Sequence, residues 1–263
     1  MNVSTHAVEV NPVEIIESKK VNNFAFLNWL AFGIKTFKTI PIQATIFGSI
    51  FALLGFLITT SITSQPQLVF AFWSGFLLIA PLFATVLYKM AALVSKNGAP
   101  SFKSCGLLFF NNVSNVFFMS LIMGLIMVAW IRISSLVFVV YTMNVSSGLS
   151  AAVNFSNLSF WFGTVEGFGL FLSLTLTSLI FFSLTFVLSA WSLPMLSERK
   201  VSFSTALVSS FIACKKNFAP MFLWSLSILC LSLFGMLTYF VSFIIVFPIL
   251  GFATWHGYKE LFS

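Results

Sequence analysis

Apolar residues in this chain do not recur at every third or fourth position, as they would on a helix with one wet face, but run on for about 20 residues at a time. Such runs occupy 41–61, 68–93, 113–131 and 167–193, and Ser64-Gln65-Pro66-Gln67 parts the first two. Each is long enough to cross a hydrocarbon core about 30 Å thick as a helix. A last run, 218–255, holds 38 residues. As one helix it would reach about 57 Å, nearly twice the core, so it is expected to fold back near Gly235. Each leg then has about 17 residues, and the hairpin either spans the core or stops short of the far side. In hydrocarbon every backbone N–H and C=O must be paired within its segment or around a closed barrel. Barrel strands would show about ten residues of alternating polarity, which the chain lacks. The pattern therefore predicts an all-α, polytopic membrane helical bundle, with about six transmembrane helices in three hairpins.

Three further stretches, 24–38, 101–112 and 202–217, are neither loop nor span. In the first, Asn28, Lys35 and Lys38 fall on one helical face while Leu27, Leu30, Ala31 and Ile34 recur on another. These read as amphipathic helices in the cytoplasmic interface, or as the starts of the spans that follow them. The unit of interfacial helix, span, turn and span would then repeat three times. Lys38 precedes Pro41 and Lys216 precedes Pro220; Pro81-Leu82-Phe83-Ala84-Thr85 with Tyr88-Lys89 matches Pro248 with Phe252-Ala253-Thr254 and Tyr258-Lys259. The middle copy keeps only Pro194 and a Ser202-Phe203 start that echoes Ser101-Phe102.

Charge adds orientation. Of 13 basic residues, all but Arg132 fall on one side of the six-span reading, and the positive-inside rule makes that side cytoplasmic, with both termini there. Residues 1–23 are polar and lack an apolar leader core, so they are expected to form a disordered cytoplasmic tail, with 24–260 as one transmembrane domain. At 59% apolar and 7% charged, the chain cannot be covered by a polar surface, since a soluble domain carries about a quarter charged residues. The 35 phenylalanines are spread along every run and read as lipid-facing and packing mass. Basic residues cap runs instead of forming a stripe, so nucleic acid is not an expected partner; the lipid bilayer is, together with a possible membrane protein.

The order Pro81-Leu82-Phe83-Ala84 with Tyr88, then Trp130-Ile131-Arg132, then Ser192-Leu193-Pro194-Met195, and the closing Pro248-Ile249-Leu250-Gly251-Phe252-Ala253-Thr254-Trp255-His256-Gly257-Tyr258 resembles an uncharacterised family of bacterial predicted integral membrane proteins, a domain of unknown function. The resemblance runs from about residue 24 to 260 and is most specific at its C-terminal stretch. It implies a multi-pass protein of the bacterial cytoplasmic (inner) membrane and supplies no site residues.

Candidate chemistry is sparse. Cys105, Cys214 and Cys230 have no paired spacing, there is no Asp, and the histidines are His6 and His256. No cofactor or metal is expected, no catalytic motif is present, and the chain is expected not to be an enzyme. Arg132 and Glu166 are the charges on the far side, where span three ends and span four begins. They form either an ion pair that gates or fixes the connection 133–165, or two separate interfacial charges with Arg132 snorkelling to headgroups. Within that connection, Ile133–Tyr141 is expected to lie as a re-entrant or interface-lying helix, the connection being either a functional cap or an inert amphipathic loop, and Asn154-Phe155-Ser156 is a sequon of little weight. His256 is either a proton-relay group or part of an interface belt. Pro81, Pro194 and Pro248 are candidate kinks that free backbone carbonyls. Two functions follow as expectations: an accessory or structural protein of a membrane complex or bilayer, or a small transporter or channel for a small or weakly polar solute.

Overall fold

A computed structural model describes residues 14–61, 66–96, 113–143 and 158–263. Within them the chain is helical: α1 (Ala25–Thr39), α2 (Pro41–Ser61), α3 (Pro66–Ser95), α4 (Val113–Met143), α5 (Leu158–Gly163), α6 (Val165–Ser189), α7 (Ser192–Glu198), α8 (Phe203–Lys216), α9 (Phe218–Leu237) and α10 (Phe243–Phe262). The expected helix at 101–112, Cys105, His6 and the sequon at Asn154 lie outside the described residues.

Among the described residues, five segments are long and apolar enough to cross a membrane: Pro41–Ile58, Phe70–Ser95, Ser114–Tyr141, Val165–Glu198 and Phe218–Leu237. The sixth expected span, α10, is not among them. Its apolar part, 243–253, extends about 17 Å before Trp255, His256, Lys259 and Glu260 begin, which is short of the core. The final hairpin therefore has one spanning leg and one that stops short. Its turn falls at 238–242, a little beyond Gly235. Phe240 N–H bonds Gly235 O at 2.9 Å and Tyr239 N–H bonds Met236 O at 3.0 Å, the paired bonds of a Schellman stop. Tyr239 and Phe240 take φ of 49° and 68° there. Phe240, 1% exposed, wedges against Phe76, Trp73 and Phe243, and this packing holds a backbone form that side chains otherwise disfavour.

Span three is a second correction. It continues through Ile133–Tyr141 to Met143 as one 31-residue helix, so that stretch is no cap over the bundle. No Gly or Pro falls between Ile133 and Met143 to stop it, and Ser135 returns its hydroxyl to Ile131 O at 2.7 Å without breaking the ladder.

α10 is the hub, with most of its residues buried, Phe247, Pro248 and Leu250–Trp255 among them, and packed against α1, α2 and α3. Close approach is made possible by glycine. Pro248 has no N–H, so Ile244 O loses its helical donor, and Gly48 of α2 lies against that carbonyl: a β-carbon on Gly48 would sit 2.1 Å from it. Where α10 leaves the apolar layer, Gly257 lies beneath Trp29 and Trp191. Trp29 meets Trp191 and Trp224 edge-on, with ring centroids 5.6 and 5.7 Å apart, joining α1, α9 and the α6–α7 junction. A smaller core at the other end gathers Phe138, Phe160, Trp161, Leu170 and Leu174.

The expected disordered tail spans residues 1–23, of which the structure describes 14–23. Residues 1–13 lie outside the described residues, but 14–22 run extended along α8 and the end of α10. Ile16 N–H bonds Ser209 Oγ at 3.0 Å, Lys19 N–H bonds Leu261 O at 2.8 Å, and Asn217 brackets the segment by accepting from Val21 N–H and donating to Lys19 O, both at 3.0 Å. Polar spacing hid this because a strap held by backbone bonds needs no apolar pattern. In α1 the buried face is Ala25, Trp29, Gly33 and Thr36, whereas Leu27 and Ile34 of the expected apolar stripe are exposed.

Replacing Gly48 with Ala should push α2 off α10. Overpacking of this kind costs about 1–3 kcal/mol. We expect a lower melting temperature in detergent for Gly48→Ala, with Gly124→Ala, whose β-carbon would meet nothing within 4 Å, unchanged; equal melting of the two variants would refute the packing.

Candidate intramembrane cavity

Between the spans lies a cavity of about 670 Å³. Its walls come from α3 (Phe70 to Tyr88), α6 (Phe171 to Ser189), α9 (Ile228 to Met236) and α10 (Phe243 to Thr254), with Trp130 of α4 and Trp161 of α5. Among the described residues, no Lys, Arg, His, Asp or Glu lines it. Polarity is limited to hydroxyls: Ser74, Tyr88, Thr175, Ser178, Thr185, Ser189, Ser232 and Thr254. Ser74, Ser178, Ser189 and Thr254 give their proton to their own helix, as Ser178 to Leu174 O and Ser189 to Thr185 O, each at 2.7 Å. A hydroxyl so bonded is satisfied without attracting water. Thr185 differs: it is 4% exposed and its Oγ1 has no hydrogen-bond partner.

Packing explains why the space exists. Trp130 donates its indole N–H to Ala71 O at 3.1 Å and Ser74 Oγ at 3.0 Å, fixing α4 to α3. α6 packs on α4, and α9 packs on α10 and α1, yet α6 and α9 make no substantial contact with each other. The cavity occupies the room between them. On α3, Pro81 removes the helical donor from Leu77 O, and both residues stand in the wall.

The sequence did not single out this site. A signal was present: Thr175, Ser178, Thr185 and Ser189 recur at helical spacing in an otherwise greasy run and so share a face. Among the candidate kinks, Pro81 is inside α3 and Pro248 inside α10, while Pro194 stands in the first turn of α7, just after the break at Ala190-Trp191 that divides the span Val165–Glu198.

The candidate gate is not formed. Arg132 and Glu166 are both exposed, and no ion pair joins them. Tyr141 Oη and Ser173 Oγ meet at 2.9 Å and set the antiparallel register of α4 and α6. From that level Arg132 lies nine residues towards the start of α4 and Glu166 seven residues the opposite way, about 24 Å apart along the axis. The pairing failed because α4 continues past Arg132. That arginine instead stands on a lipid-facing row with Leu125, Val128 and Leu136.

Polar chemistry is concentrated at the end where both described termini meet. Lys259 pairs with Glu198 at 3.0 Å, Trp29 Nε1–H donates to Glu260 at 2.7 Å, Arg199 donates to Phe262 O, and Lys216 to Ser18 O. His256, outside the five spans, stacks on Phe32 with centroids 4.6 Å apart and lies 3.2 Å from Thr36 Oγ1. Burial, aided by the Lys35 charge, pushes its pKa down to about 4, so it is neutral at pH 7. Cys214 on α8 is a buried free thiol, pushed up to about 12 by burial, with the Trp191 hydrogen bond acting the other way. No group of His, Cys or Glu among the described residues has the arrangement of a metal site.

Two outcomes are expected. Because the folded state resists the proton on His256 that the unfolded chain accepts near pH 6.5, its contribution to stability is complete above that pH and is lost as pH falls towards 4. Melting curves of wild type and His256→Asn should therefore differ more at pH 7 than at pH 4; a parallel offset at all pH values would contradict the shift. Arg132→Ala and Glu166→Ala should each leave membrane insertion intact and combine additively, within about 0.5 kcal/mol; a larger coupling in the double mutant would restore the pair.

Comparison with known proteins bears on the class. Residues 68–198, about half of the chain, match the family model described as predicted integral membrane protein (DUF2189). The match takes in Pro81–Tyr88, Trp130-Ile131-Arg132 and Ser192–Met195, and ends before the Pro248–Tyr258 stretch. No curated protein and no solved structure matches the chain. The chain is an integral membrane protein whose residues 68–198 belong to this family of unknown function.

Proposed function

We propose that the protein is a non-enzymatic accessory protein of the bacterial inner membrane that works by holding an uncharged, largely apolar molecule, or the apolar chain of a larger one, between its spans. The observation that carries the reading is the cavity: about 670 Å³ of apolar wall with a few hydroxyls and no charged residue. A charged substrate would have to leave its hydration without compensation there, and acid–base chemistry would lack a titrating group suited to it. Both termini are assigned to the cytoplasm, supported by the gathering of Lys19, Lys35, Arg199, Lys216 and Lys259 at one end of the bundle. Nucleic acid is not a partner in this reading; a membrane protein partner remains compatible with it. The second reading, a carrier for a small or weakly polar solute, draws on the hydroxyl row along α6 and would need a neutral solute to cross liposomes containing the protein.

Purification in mild detergent followed by native mass spectrometry tests the first reading. We expect an uncharged small molecule, or a lipid held by its apolar chain, at about one per chain, displaced in Ser178→Trp. A wild-type preparation with no bound small molecule or lipid, melting as the filled variant does, would overturn it, and a stoichiometric protein partner with nothing in the cavity would leave only a structural role.

A further inference from the structure

The geometry points to a specific occupant, and this step rests on the reading just given: we infer that the cavity takes one hydrocarbon chain of a membrane phospholipid, which enters sideways from the bilayer between α6 and α9.

Length is the first argument. The wall on α6 runs from Phe171 to Ser189, about 27 Å at about 1.5 Å per residue, close to the hydrocarbon thickness of about 30 Å. A compact solute needs no such slot, whereas an extended acyl chain parallel to its neighbours in the bilayer fills it. Access is the second. α6 and α9 line opposite sides without packing together, and the residues at the gap, Leu179 and Leu233, are 42% and 49% exposed. Both stand within spanning segments, so what meets them is lipid. An apolar doorway of this kind excludes hydrated solutes and admits chains that are already dry, so entry requires no desolvation. Wall chemistry is the third: the hydroxyls whose protons are committed to their own helix present nothing that a methylene chain must displace, and no cation or carboxylate is there to hold a headgroup. The headgroup therefore stays outside the slot, at the bilayer surface.

The test uses the full chain in nanodiscs of phosphatidylcholine and phosphatidylglycerol containing a phospholipid with a diazirine midway along one acyl chain. After irradiation, adducts are mapped by mass spectrometry. Labelling is expected inside the slot, at Phe182 and Leu229, as well as on outward Ile180 and Leu226. Leu229→Trp should reduce the Phe182 adducts about tenfold and leave those at Ile180 unchanged, and Ser232→Phe provides the same block if the first variant does not fold. Adducts confined to outward positions, or slot adducts indifferent to both blocks, would overturn the inference. If slot adducts are missing while a different uncharged molecule co-purifies, the lipid assignment fails and the binding reading stands; if neither is found, both fail.

Discussion

The packing of α10 into the angle between α1, α2 and α3 is the contact on which the remaining architecture depends. Lipid is as apolar as leucine, so no hydrophobic gain drives one span against another, and association comes from close fit. Gly48 supplies that fit against the Ile244 carbonyl, and Gly257 supplies it beneath the tryptophan cluster. With α10 seated, Trp29, Trp191 and Trp224 lock α1, α9 and the α6–α7 junction at one end, and the strap of residues 14–22 closes over the same end through Leu261 and Asn217.

The cavity is a consequence of this arrangement. α9 is held by α10 and α1, α6 by α4, and beyond the tryptophan cluster α6 and α9 make no substantial contact with each other among the described residues, so a slot is left between them. In water an opening lined in this way would collapse or aggregate. In lipid it carries a much smaller penalty, because a hydrocarbon chain can occupy it. The protein is thus rigid where side chains interlock at its basic end and open where two spans diverge.

Much of the fold was legible because bilayer thickness imposes a length on helices that composition reveals directly. Spans at 41–61 and 68–93 appear as α2 and α3, and the stretches at 24–38 and 202–217 as α1 and α8. What sequence could not supply were quantities set by register. α4 runs on past Arg132 because nothing breaks it, and this places Arg132 far from Glu166 along the axis. α10 reads as an ordinary greasy leg, although its burial depends on glycines in other helices. The cavity was missed for a related reason: hydroxyls at 175, 178, 185 and 189 mark a face, but whether that face meets a helix or a void depends on where α9 is anchored.

Hydrogen–deuterium exchange of the protein in nanodiscs addresses the central claim most directly. The segment 254–261 lies beyond the apolar part of α10 and has no bilayer to shield it, so its protection must come from α1, the tryptophan cluster and the N-terminal strap. If α10 is the hub, these amides exchange as slowly as those of the apolar segment 243–253. Rapid exchange at 254–261 beside slow exchange at 243–253 would show that lipid alone protects the helix and that the bundle is not organised around it.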